Sequence, residues 1–595
     1  MDNKIIGQIF DEVRAYTTYS ESDSLIFAMQ LIAWTKLSFD NNIINDDIQV
    51  QNIRLIDTQS LKVIFEKLSK INGLIGQAFG GVNISSSSDI KGLNRILDLC
   101  IKLGEAGILK NIDPTDSVNL ISSRYPDESG LPREIADLIV GLASIDSNLS
   151  VYTPWDFGAQ LAGRALKVNA SVYLESIKDS ALPALVGIIL GGDFTYACTN
   201  PITSPQAIEN GKLRKFDIAL AMPPYGLRYE PDVVDRDWFS RFPERTNSGI
   251  VLTVRHLLSQ TKHKVVIAAP NTLLSSPGYE KTLREDLIQK GIIETVISLP
   301  SGLFAFSNVA MSILVMSPEG GNQKIRFINA DNECYREPIS KAKARLTNVE
   351  QLLDVAKTDF ADNDLIMVPA DSVMENDAQL LVSRYLLDDT SKKLQTFLAS
   401  QKTVDLGSLV STVRPMPTVQ DSQNHVEAFE VGATDLPKYG YIKTTGRSVK
   451  IDAEIAKKNK HQFLKPLDIV LIVKGSVGKV GIVATNISEQ LSTGWVAGQS
   501  ATILRVDDQS KINPRALASY LRSELGQELL KTIVSGATIQ LIQLRELLRL
   551  QIAIPSIEEQ SIIANALDEE SAIQDEIDAL VNKQAKLAEK FWGLE

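Results

Sequence analysis

Cysteine and histidine are scarce in this chain: 595 residues hold three cysteines (Cys100, Cys198, Cys334) and four histidines. The cysteines lie far apart with no Cys-x-x-Cys pair, which argues against a disulfide scaffold or a zinc ribbon, and the isolated histidines leave no metal centre to expect. No uninterrupted apolar run approaches the ~20 residues of a membrane span. The opening MDNKIIGQIFDEVRAY lacks the basic, apolar and cleavable parts of a secretory signal. Together these absences point to a cytoplasmic protein without membrane contact. With 44% hydrophobic and 23% charged residues, wholesale disorder and a collagen-like repeat are excluded as well. At roughly 150 residues per domain, the length suggests about four folding units.

A net charge of −12 speaks against nucleic acid until its distribution is followed along the chain. Residues 1–403 sum to −9, residues 404–560 to +2, and residues 561–595 to −5. Only the middle segment is positive. Its basic residues cluster as Lys443, Arg447 and Lys450, then Lys457, Lys458 and Lys460. Such clusters serve either as a solvated face or as a phosphate-contacting surface.

Texture divides the chain further. The first ~125 residues carry apolar positions at helical spacing, as in SLIFAMQLIAWTKL (24–37). From about 129, short apolar runs (SVYL, FDIALA, KVVIAAP, ETVISLP, AMSILVM, KIRFIN) alternate with helical segments, which predicts a mostly parallel α/β sheet. PEGGN (318–322) predicts a turn joining the last two strands as an antiparallel hairpin at the sheet edge. A polar helical connector follows, ending in 380–400. Residues 404–555 are β-rich, and the last ~35 residues form one long helix. There Ile573, Ile577, Leu580, Leu587 and Phe591 recur at four- and three-residue steps with Gln584 at one seam position, a short coiled-coil pattern. Such a seam pairs two copies or packs on its own chain, at the 376–400 connector.

The chemistry-bearing feature is strand FDIALA running directly into Met222-Pro223-Pro224-Tyr225-Gly226. Two prolines stiffen the turn, and an aromatic beside them offers a flat face at the carboxyl end of a sheet, where open α/β folds bind ligands. This loop resembles the (Asn/Asp)-Pro-Pro-(Tyr/Phe) loop of amino-methyltransferases acting on adenine N6. The resemblance extends through roughly 125–330, to the methylation subunit of type I restriction–modification systems, and is most specific at 269–316. It implies a Rossmann-like, S-adenosylmethionine-dependent methyltransferase domain. Tyr225 would then stack on an extruded adenine, and Pro223 would offer a carbonyl to its N6. SVYTPWDFGAQLAGRAL (150–166) would be the cofactor loop, with Pro154, Asp156 and Gly158 in it, while Glu175 would hold the ribose and Asp193 the adenine end of the cofactor.

Two departures fall where catalysis would sit. Position 222 is Met, and a thioether is a poor acceptor. The cofactor loop lacks Gly-x-Gly and puts Trp155, Asp156 and Phe157 where close backbone approach is needed. These departures fit impaired methylation, or an active divergent branch in which Asp156 or a backbone carbonyl takes part of the role.

Residues 404–565 resemble half of a type I specificity subunit: one target-recognition domain with its trailing helix. The segments carrying this are VDLGSLV (404–410), KPLDIVLI (465–472), GSVGKVGI (475–482), INPRALASYLRSELGQELLK (512–531) and IPSIEEQ (554–560). Lys474 and Lys479 flank its glycine turn, and loops 411–425 and 443–460 are where this resemblance places base reading. With Lys443, Arg447, Lys450, Lys457, Lys458 and Lys460 they make up the expected DNA-contacting set. The whole reading is an N-terminal helical domain (1–128), a methyltransferase-like α/β domain (129–345), a helical connector (346–403), a DNA target-recognition domain (404–560) and a dimerisation helix (561–595). It implies a sequence-specific protein of a type I-like restriction–modification or phage-defence system, binding double-stranded DNA and S-adenosylmethionine. The partners it implies are a second copy joined through 561–595 and a nuclease or helicase subunit. The alternative is a non-catalytic subunit that senses DNA or its methylation and recruits such a partner.

Overall fold

The computed structural model describes residues 2–40, 44–53, 57–80, 90–121, 130–304, 309–340, 343–360, 364–386, 397–398, 400–419, 424–485, 494–535 and 540–592. They form two compact units, 1–386 and 387–595. No helix among the described residues is long and apolar enough to cross a membrane.

The first unit begins with helices α1 (Asp2–Tyr16), α2 (Glu21–Phe39), α3 (Thr58–Ser69), α4 (Leu74–Phe79) and α5 (Ile90–Glu105). Helix α2 is apolar on nearly every side and is buried accordingly from Leu25 to Leu37. Two of its buried polar side chains reach distant carbonyls: the Trp34 indole donates to that of Ile48 (2.8 Å) and the Gln30 amide to that of Ala78 (2.7 Å). The Ser20 side chain accepts from the amide of Asp23 and so caps its start.

A nine-stranded sheet follows, built from β1 (Ser150–Pro154), β2 (Ser171–Ser176), β3 (Phe194–Cys198), β4 (Phe216–Ala221), β5 (Thr261–Pro270), β6 (Ile293–Ser298), β7 (Met311–Met316), β8 (Lys324–Asn329) and β9 (Leu365–Pro369). Its order is β9-β8-β6-β7-β5-β4-β1-β2-β3. Strands β3, β2, β1, β4 and β5 run parallel, as their near-continuous apolar sequences predict. The flanking helices include α6 (Arg133–Ala143), α7 (Gln160–Lys167), α8 (Leu182–Leu190) and α9 (Gly249–Gln260). Helices α2 and α4 pack on α8, and Lys36 donates to the Ile189 carbonyl, so the helical preface is seated on the sheet's own layer.

The sheet departs from the sequence pattern in two places. PEGGN does not close a hairpin: β7 inserts antiparallel between β5 and β6, and β8 pairs parallel with the far side of β6. The stretch after 345 is not purely a helical connector. It returns as β9, antiparallel to β8, and caps the sheet edge. Much of 380–400 and the junction at 122–129 lie outside the described residues.

In the second unit β10 (Thr403–Asp405) pairs with the strand Gln551–Ala553, tying the start of the unit to its close. A four-stranded sheet contains β11 (Val410–Val413), β14 (Ile469–Ile472), β15 (Val480–Ile482) and β17 (Ala501–Val506). A three-stranded one contains β12 (His425–Val431), β13 (Arg447–Asp452) and β16 (Trp495–Ala497). Val470, Ile472 and Ile503 of the first interdigitate with Val431, Trp495 and Ala497 of the second. Helices α10 (Ala453–Lys458), α11 (Pro514–Arg522) and α12 (Glu524–Thr532) lead to α13 (Ile557–Trp592). The proximal half of α13 buries Gln560, Ala564, Leu567 and Ser571, one stripe at four- and three-residue steps. Gly440, at φ +69, lies so close to it that an added Cβ would sit 3.0 Å from Ser571 Cα. The seam residues Ile573, Ile577, Leu580 and Leu587 are exposed; Phe591 falls outside the described side chains.

Candidate functional site

Strand β4 is buried along almost its whole length and ends in the turn Met222–Gly226, with Gly226 at φ +75. At this carboxyl edge the structure opens a cleft of about 900 Å³, mouth included. Met222, Pro223, Pro224 and Tyr225 line one part of it, with Pro270, Phe304, Val309 and Met311. Trp155, Asp156, Phe157 and Gly158 line another, with Leu131, Ser176 and Lys178. The turn and the glycine-poor loop, about 70 residues apart in sequence, therefore share one cavity. Tyr225 is 45% exposed, and its ring is available to a planar ligand.

The loop 154–158 is built for itself rather than for a guest. Trp155 sits at φ +63, a sparsely populated conformation for a bulky residue, and its amide donates to the Glu175 carbonyl (2.8 Å). Both oxygens of Asp156 are committed, one to the Gln160 amide (2.9 Å) and one to the Ala162 amide (2.8 Å), the first-turn donors of α7. Burial pushes this carboxyl up to about 6 against those amides. Gly158 is required because an added Cβ would lie 2.7 Å from Val118 Cγ1.

Glu175 does not line the cleft. It is fully buried and terminates a directional hydrogen-bond relay. Arg241 has only donors, so its Nη1 contact with His256 Nδ1 (2.8 Å) fixes that nitrogen as acceptor and leaves the proton on Nε2. Nε2 then donates to Tyr152 Oη (2.9 Å), and Tyr152 donates to Glu175 Oε2 (2.5 Å). The other carboxylate oxygen accepts from the amides of Gln206 (2.6 Å) and Ala207 (3.2 Å). Burial raises the Glu175 carboxyl and holds His256 well below its ordinary range. Asp193 is also misplaced by the sequence reading. It lies exposed just before β3, at the amino edge of the sheet, opposite the cleft. No sequence signal marked the end of β2 and the residues after it, where Ser176, Ile177 and Lys178 reach the cleft and the Lys178 ammonium lies 4.6 Å from the centre of the Phe157 ring.

In the second unit Lys450, Lys457, Lys458 and Lys460 are exposed, and α10, which carries two of them, packs on β12 and β13. Lys474 and Lys479 are exposed on the turn between β14 and β15. Two members of the expected set are engaged within the unit: Lys443 pairs with Asp575 of α13, and Arg447 with Glu430 at 2.9 Å. Arg447 remains largely exposed, whereas Glu430 is buried. Lys443 serves the tail helix.

Residues 187–393 match the N-6 DNA methylase family, and residues 433–587 match the type I restriction modification DNA specificity domain. The chain joins a type I methylase module to a type I specificity module. The chain is 28% identical over 198 residues to the methylase subunit of the type I restriction enzyme MpnII of Mycoplasma pneumoniae, covering 31% of this chain and 35% of that protein. To the MjaVII methylase subunit of Methanocaldococcus jannaschii it is 26% identical over 307 residues, 46% of this chain and 52% of that one. The chain thus spans about half or less of the curated relatives it matches. Among solved structures, the type I methyltransferase subunit of Streptococcus thermophilus superposes with a TM-score of 0.55 at 16% identity, covering 65% of this chain and 98% of that one, a likeness of fold.

Proposed function

We propose that this chain recognises a duplex DNA sequence through its specificity module and receives an extruded adenine in the cleft of its methylase module. It would act in a type I-like restriction–modification or phage-defence system. The observation that carries this reading is the pairing, on one chain, of an exposed Tyr225 in a proline-walled cleft with a specificity module. Tyr225 stacks on the base, and the Pro223 carbonyl accepts from its exocyclic nitrogen. Met222 supplies no second acceptor. A buried amine hydrogen left unpaired costs about 1–3 kcal/mol, roughly a five- to 150-fold slowing if transfer to N6 proceeds here.

The residues around the cleft do not fit S-adenosylmethionine. Its ribose hydroxyls call for a free carboxylate, and its sulfonium for neutral or negative surroundings. Glu175 is sealed, Asp156 caps α7, Asp193 is on the opposite edge, and Lys178 brings a positive charge. Exposed lysines 450, 457, 458 and 460 contact phosphates, the α13 seam joins two copies, and a nuclease or helicase subunit completes the system in the cytoplasm.

The test is selection of bound duplexes from a random library by the full chain. One enriched motif is expected; recovery of random sequence would overturn the reading. Titration of S-adenosylmethionine by calorimetry accompanies it, with no saturable heat expected up to millimolar concentration.

A further inference from the structure

We infer that Trp238 grips the duplex beside the cleft, stacking its indole on a base laid open when the target adenine leaves the helix. This rests on the reading above and names a second DNA-contacting group at the same edge of the sheet. Trp238 is 93% exposed, and no other large apolar side chain among the described residues is as bare. A lone exposed apolar side chain is ordinary; what sets this one apart is its mount. Asp237 and Arg241, on either side of it, have side chains only 3% and 2% exposed, joined at 2.9 Å. Asp237 also accepts from the Arg241 amide (2.5 Å), which closes residues 237–241 into a tight turn. Within it Ser240 takes φ +53, a conformation uncommon outside glycine. Arg241 then ties the turn to the sheet, donating to the carbonyls of Pro201 (3.0 Å) and Ile202 (2.5 Å) and to His256 at the head of the relay. Buried charges thus fix the backbone on both sides of Trp238 while the indole itself stays in water. Ordering that backbone costs entropy that a solvated indole does not return.

The anchor points say what the indole faces. Pro201 and Ile202 follow β3, which runs parallel to β4, so they stand with Tyr225 at the carboxyl edge of the sheet. The loop carrying Trp238 leaves that edge directly after Tyr225 and returns to it. At its neck the Tyr229 amide donates to the Asn247 carbonyl (3.1 Å) and the Gly249 amide to that of Leu227 (3.0 Å). A duplex that delivers an adenine to Tyr225 lies against this edge, and extrusion leaves the neighbouring bases without a stacking partner. An indole replaces that partner whatever the sequence, because every base has a π-face. Charge does not supply the contact: on the same loop Arg236 pairs with Asp232, and Arg245 with Asp235 at 3.4 Å. Trp238 acts by stacking, not by neutralising phosphate.

The test uses the full chain and the motif duplex selected above, with affinity read by fluorescence anisotropy across a salt series. Trp238→Ala is expected to weaken binding by roughly five- to 150-fold, the worth of one base–aromatic stack. The slope of log affinity against log salt should stay the same. Trp238→Phe keeps an aromatic face and is expected to recover most of the loss. With Trp238→Phe as background, acrylamide quenching of the difference emission reports the indole itself, expected to be open in the free chain and shielded on the duplex. The indole buries almost nothing, so both variants should keep the melting transition of the unaltered chain; if Trp238→Ala unfolds, the quenching measurement decides. Unchanged affinity of a folded Trp238→Ala, or an indole still open to acrylamide on the duplex, overturns the inference. A reduced salt slope overturns it too, since the effect is then electrostatic. Shielding that rises with protein concentration in the absence of DNA assigns the indole to contact between two copies instead. Absence of motif-specific binding by the unaltered chain overturns the functional reading itself.

Discussion

Replacing Tyr152 with Phe removes a single oxygen from the interior of the first unit, and its cost follows from the relay. The hydroxyl is fully buried, donates to Glu175 Oε2 and accepts from His256 Nε2. Its loss deletes one hydrogen bond to a charged acceptor, about 1.5–3 kcal/mol, and leaves an imidazole N–H desolvated, about 1–3 kcal/mol more. Roughly 3–5 kcal/mol in total is expected near neutral pH. With an unfolding entropy of ~2.1 cal/mol/K per residue over the 386 residues of the unit, the melting transition should fall by roughly 4–6 °C. The control is Tyr173→Phe, the register neighbour of Tyr152 on β2, whose hydroxyl takes no part in the relay. Differential scanning of the full chain, with a urea midpoint as a second measure, compares the two variants. Equal shifts for Tyr152→Phe and Tyr173→Phe would refute the relay.

Three further outcomes are expected. The Asp156 carboxyl is raised to about 6 from 3.8, so the native state binds its proton more tightly than the unfolded chain does. Its contribution must therefore improve as pH falls through 6 towards 4, by about 3 kcal/mol at most; Asp156→Asn should flatten that part of the stability–pH curve. In the second unit Arg505 holds Asp468, which is 2% exposed, in a two-point contact at 2.6 and 2.8 Å. Arg505→Met should destabilise that unit by about 3–5 kcal/mol by stranding a buried charge, read as loss of its own unfolding transition. Replacing Lys450, Lys457, Lys458 and Lys460 together with Ala should lower the slope of log affinity against log salt by ~0.9 for each phosphate that is no longer neutralised. An unchanged slope would remove this face from the DNA interface.

Local sequence made several features legible because their determinants are local. The strand FDIALA, its rigid proline turn and the exposed ring of Tyr225 are neighbours in the chain, and the apolar runs declare most strands of the sheet. The failures are tertiary. Glu175 sits at the end of β2 as a ligand residue would, but its lone pairs are taken by Tyr152 and by the amides of residues 206 and 207. Periodicity carries no record of such distant partners. Asp193 falls on the wrong edge because a motif without topology does not say whether it precedes or follows its strand. Lys443 resembles its neighbours in sequence, but α13 brings Asp575, 132 residues downstream, against it. PEGGN is a competent turn, but a turn does not dictate which strand its second arm joins.

The bracing of α13 has a consequence for spacing. Gly440, Tyr441 and Lys443 bind it through Glu570, Asp568 and Asp575, so the part that extends past this bracing is its end, residues 576–592, about 26 Å long. Were two chains zipped along the distal seam, each reading one half-site of a bipartite DNA sequence, that rod would act as a gauge for the distance between the half-sites. Inserting one heptad after Leu580 lengthens it by roughly 10 Å, and the gap tolerated between half-sites should grow by a few base pairs at ~3.4 Å each.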